Sequence, residues 1–210
     1  MNPITIAVRK IHCIAGTAGL GADEPYIIVF AANMTQTPPD VEATLYGPWG
    51  DVNQGETHST VPIPPNIPAD VLDAISVVWR RNCWGPSGGA TTINKPSDAI
   101  ILLGMMENDD GQPSSVRVVC QSFLFASVLA TFNSGMSRSD IVAKLIKDMN
   151  DTLDTSSRGF PNSDDRLGSV QELLLMESDL NAASRGSLSK SLRFEGDGGK
   201  YDVFLDLKKG

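Results

Sequence analysis

Carboxylates in turn-rich segments are the residues of this sequence best suited to chemistry. Four of them lie in three acidic segments: Asp23 in GLGADEPYIIVF (19–30), Glu107 and Asp109 in ENDDG (107–111), and Asp165 in SDDRLG (163–168). Calcium takes roughly six to eight oxygen ligands, which flexible loops can supply from remote parts of a chain. Asp, Asn and Gly are also ordinary turn residues, and for any one segment alone that interpretation is favoured.

Groups for other kinds of catalysis are sparse. The chain has two histidines, His12 and His58, and it contains no P-loop or HExxH motif. His12 and Cys13 are neighbours on a predicted strand, so their side chains point to opposite faces and cannot form a catalytic pair. Paired loop carboxylates occur in glycoside hydrolases, but few aromatic residues are available for a sugar site. We therefore expect a protein that is not an enzyme.

The charge of the chain limits its partners. The 210 residues carry a formal net charge of -8 without a basic stripe, which argues against a nucleic-acid partner. The acidic balance is compatible with cation binding, and equally with a role in solubility alone. With 41% hydrophobic residues, the chain can bury a sizeable core.

The sequence predicts a cytoplasmic protein without a transmembrane segment. Its start lacks the basic and apolar regions of a secretory leader. The longest apolar run, residues 116–132, is shorter than a span and contains Arg117 and Gln121. The three cysteines are far apart and odd in number, which indicates buried, reduced thiols.

Hydrophobic periodicity divides the chain into a β-rich part, a helical part and a second β part. Apolar alternation or β-branched runs predict strands at 4–14, 26–34, 74–84 and 98–106, with short strands inside 38–65. Residues 115–132 predict a buried helix, and residues 137–154 an amphipathic helix. VQELLLMESDL (170–180) fits either period, with a slight preference for strand. GDGG (196–199) predicts the turn of a terminal hairpin.

This order predicts a mainly β, mixed α+β fold. We expect an antiparallel β-sandwich in which residues 1–210 form a single domain, with a helical insertion at 113–158 between late strands.

Three segments resemble C2-type domains, which are calcium- and phospholipid-binding β-sandwiches. GLGADEPYIIV is similar to the family's G-x-S-D-P-Y segment, IILLGMMENDDG to its buried strand running into D-x-D, and DDRLGSVQELLL to its D-x-h-G segment. The resemblance implies a C2-like sandwich with Asp23, Glu107, Asp109 and Asp165 as calcium ligands. Here Glu24 is inserted before Pro25, Glu107 replaces an Asp, and the two predicted helices separate the second and third segments.

We therefore expect a non-catalytic binding module. The loops around 19–25, 107–112 and 163–168 would bind calcium and contact a protein partner or, through calcium, an acidic lipid surface. Trp49 and Trp84 could insert at a membrane, although packing over the mouth of the sandwich is favoured. The alternative is a structural or self-assembling protein that uses the sandwich and the helical hairpin as interfaces. For the helix at 115–132, a core role is favoured over an oligomer interface.

Overall fold

The computed structural model describes residues 3–18, 22–65, 68, 71, 77–85, 89–109, 111–156 and 164–210. The strands of this part are β1 (Ile4–Ala15), β2 (Pro25–Asn33), β3 (Asp40–Tyr46), β4 (Thr57–Ser59), β5 (Val61–Pro62), β6 (Trp79–Arg80), β7 (Ala99–Glu107), β8 (Asp165–Arg166), β9 (Gln171–Glu172), β10 (Ser187–Gly196) and β11 (Gly199–Lys209). The helices are α1 (Pro113–Phe132), α2 (Arg138–Ser156) and α3 (Glu177–Arg185), and Pro96–Asp98 form a 3₁₀ turn.

The described strands form two main sheets. One has the order β10-β11-β1-β4, and the other has the order β3-β2-β7-β8 with β9 also beside β7. The strand pairs within both sheets are antiparallel, and β5 and β6 form a separate parallel pair. The expectation of a mixed α+β fold with mostly antiparallel sheets is therefore confirmed.

The inner faces of the two main sheets share one hydrophobic cluster. Alternate residues of β1 and β11 point into it because successive side chains of a strand face opposite sides. Ile6, Ile27, Leu103 and Leu205 represent the four central strands in this cluster. Trp49 and Trp84 also belong to the cluster and are buried, so neither indole is available for insertion into a membrane.

Helices α1 and α2 cover the other face of the second sheet. Tyr26, Ile28 and Phe30 of β2 belong to a second cluster with α1 and α2. Strands β2 and β7 are consequently buried on both faces, which explains their continuous apolar sequences. The close approach of α2 to β7 occurs at Gly104, where an added Cβ would lie 2.5 Å from Leu153 Cδ1.

The two central helices lie where the sequence predicted them, between β7 and β8. Helix α1 is nevertheless long and apolar enough to cross a membrane by length and composition. Length and composition alone do not decide whether a helix spans a membrane, so the absence of a transmembrane segment stays a prediction. The single-domain boundaries also stay a prediction.

Two sequence expectations differ from the structure. The strand expected at 74–84 contains only Trp79–Arg80 among its described residues, and positions 74–76 lie outside them. The segment 170–180, for which the sequence slightly favours a strand over a helix, holds the short β9 and then the start of α3. Asp179 favours this start because its Oδ2 accepts the Met176 N–H at 2.9 Å, a side-chain cap that hydrophobic periodicity does not reveal.

Candidate functional site

Strand register brings the three predicted acidic segments to one end of the second sheet. Pro25 of β2 pairs with Glu107 of β7, and Glu107 pairs with Asp165 of β8. The Glu24 N–H donates to Glu107 Oε1 at 3.3 Å. Segments that are remote in the sequence therefore end side by side.

The hairpin turn between β10 and β11 adds a fourth acidic segment. Asp197 and Gly198 both have positive φ, of 49° and 77°, as a tight two-residue turn requires. The Asp197 carbonyl accepts a hydrogen bond from the Ala18 N–H at 3.3 Å. The first sheet thus adds Asp197 to the end at which the three acidic segments of the second sheet meet. We call this place the acidic end and define it by its described carboxylates, Asp23, Glu24, Glu107, Asp109, Asp164, Asp165 and Asp197.

Asp23 is buried and directed into the protein. Its carboxylate accepts hydrogen bonds from the Thr17 N–H, at 3.0 and 3.2 Å, and from Thr17 Oγ1 at 2.8 Å. The Tyr201 hydroxyl donates to Asp23 Oδ2 as well. These bonds connect the segment before β2 to the end of β1 and to β11, so Asp23 ties the two sheets together.

Glu107 is buried, and its environment penalises its charged form. Burial is the main cause that raises the pKa of this carboxyl to about 7; the Glu24 N–H opposes this rise, while Asp109 and Asp23 add to it. Near neutral pH, a large fraction of this side chain therefore carries a proton.

Asp109 and Asp165 are the exposed members among the four predicted ligands. Burial raises the pKa of Asp165, with added repulsion from Asp197, Asp109 and Asp164. The repulsion links Asp165 to Asp109 and to the hairpin turn. Together with the register, it shows that the three predicted segments and the turn share one electrostatic environment.

Asp164 belongs to the acidic end, although it is not one of the four predicted calcium ligands. Its buried carboxylate accepts the Tyr26 hydroxyl at 2.7 Å and the Asp109 N–H at 3.2 Å. The resemblance selected its neighbour Asp165. Asp164 immediately precedes β8, and the sequence pattern does not indicate that it, rather than Asp165, points inward.

The atoms at the acidic end that could bind a metal ion are oxygen atoms, which suit a hard cation such as calcium. Asn108 adds an oxygen: its Nδ2 donates to Glu24 Oε2 at 3.0 Å, while its buried Oδ1 has no hydrogen-bond partner. In the part of the chain that the structure describes, however, no group of three His, Cys, Asp or Glu side chains is arranged to hold a metal ion. Calcium coordination by Asp23, Glu107, Asp109 and Asp165 therefore stays a prediction.

The other side chains that could be reactive are the three cysteines and His12. Cys13, Cys83 and Cys120 are free and buried, as the sequence predicted. Burial raises the pKa of the Cys13 thiol, while that of Cys83 is raised to about 12 for the same reason. The His12 Nδ1–H donates to the Glu56 carbonyl at 3.0 Å. His12 and Cys13 thus lie on opposite sides of β1.

No protein-family model, curated protein or solved structure matches the chain. The class of the molecule is therefore defined by its own fold and site. It is a mixed α+β protein, mostly antiparallel in its sheets, with carboxylates from four chain segments gathered at one end.

Proposed function

We propose that the protein is a non-catalytic binding module whose acidic end binds calcium. The observation that carries the proposal is the surroundings of Glu107, a buried carboxyl with a pKa of about 7 beside Asp109 and Asp23. A divalent cation would relieve this repulsion and replace the proton. Its binding would therefore be favoured by the repulsion that Asp109 and Asp23 add to the larger effect of burial on Glu107.

The acidic end offers two kinds of carboxylate for this role. Asp23 and Asp164 are buried and held by tyrosine hydroxyls, so they fix the positions of the chain segments. Asp109 and Asp165 are exposed and could reach a cation from the surface. In this proposal, Glu107 releases its proton when calcium binds, and Asp109 and Asp165 supply the accessible charge.

A C2-like β-sandwich is part of the proposal. The order of the acidic segments and the hydrophobic cluster shared by the two sheets support it. Calcium would turn a negative surface into one that can bridge to lipid phosphate or to an acidic protein partner. The cytoplasm is the compartment in which we expect this binding.

Thermal unfolding with calcium or with EDTA tests the proposal. If the Kd is about 0.1 mM, about 10 mM calcium should stabilise the protein by about 2.7 kcal/mol. A gain of that size corresponds to a rise in Tm of roughly 5–10 °C for a chain of this length. The Asp109→Asn and Asp165→Asn variants should lose most of the rise. Glu177→Gln is the matched control, because Glu177 starts α3 outside the acidic end.

Cosedimentation with vesicles tests the partner. Vesicles rich in phosphatidylserine should bind the protein in calcium and release it in EDTA. An unchanged Tm in calcium would contradict the whole proposal. If calcium raises the Tm but the protein does not bind the vesicles, the calcium site is supported and the partner would be an acidic protein surface rather than a membrane.

A further inference from the structure

We draw no further inference here: the strongest candidate, the edge strand β10 of the first sheet together with the exposed Leu174 and Met176 of the neighbouring segment, carries none because nothing in the part of the chain that the structure describes shows what would cover this edge.

Discussion

The Tyr26 hydroxyl donates a 2.7 Å hydrogen bond to Asp164 Oδ2, although the two residues are 138 positions apart in the chain. Tyr201 makes the corresponding bond to Asp23. Each tyrosine lies on a strand, and each holds a buried aspartate of the acidic end. The acidic segments are thus fixed by aromatic residues of the sheets as well as by contacts among themselves.

Replacing Tyr26 by Phe should destabilise the protein. The substitution removes one donor from a buried carboxylate, and hydrogen bonds to charged groups contribute roughly 1.5–3 kcal/mol. Tyr46→Phe is the control, because that hydroxyl donates to the neutral Arg81 carbonyl and its loss should cost only about 0.5–1.5 kcal/mol. Urea unfolding measures both changes. Equal losses in the two variants would show that the Tyr26–Asp164 pair has no special role.

The raised pKa of Glu107 predicts how stability depends on pH. The folded protein holds the proton of Glu107 up to about pH 7, whereas the unfolded chain releases it near the ordinary value of 4.5. In this interval the folded state binds more protons, so the free energy of unfolding should fall as pH rises from about 4.5 to 7. The expected fall from this group is on the order of 1–3 kcal/mol.

Glu107→Gln isolates this contribution. Glutamine keeps an oxygen that can accept the Glu24 N–H, but it cannot ionise. The variant should therefore be more stable than the natural protein at about pH 8 and similar to it near pH 4.5. Urea unfolding at several pH values, with Glu177→Gln for comparison, measures the difference. An unchanged pH dependence in Glu107→Gln would assign the effect to other carboxyls, such as Asp165.

The acidic end was largely predictable, and its internal contacts were not. Asp23 and Glu107 adjoin strands with clear apolar patterns, so their arrival at one end required only the strand order, whereas the choice of Asp165 came from the resemblance to C2-type domains. The role of Asp164 depends on which neighbour of a pair points inward, and the start of α3 depends on the cap at Asp179. Tertiary contacts determine both the orientation of Asp164 and the start of α3, and hydrophobic periodicity does not predict either one.

The approach of α2 to the second sheet depends on the absence of a side chain at Gly104. In a buried strand, alanine would ordinarily be preferred to glycine by roughly 0.5–1 kcal/mol. An alanine methyl at this position, however, would lie 2.5 Å from Leu153 Cδ1 and 3.3 Å from Met149 Cε. Gly104→Ala should therefore destabilise the protein by roughly 1–3 kcal/mol, as overpacked cores do.

A second substitution separates steric conflict from a backbone effect at Gly104. Leu153→Ala alone should cost about 2–5 kcal/mol, because the residue is fully buried. If the two side chains conflict, the double variant should lose less than the sum of the single losses, since the smaller residue leaves room for the new methyl. Gly50→Ala serves as the control, because a Cβ there meets no atom within 4 Å. Strict additivity in the double-mutant cycle, measured by urea unfolding, would contradict a direct contact between positions 104 and 153.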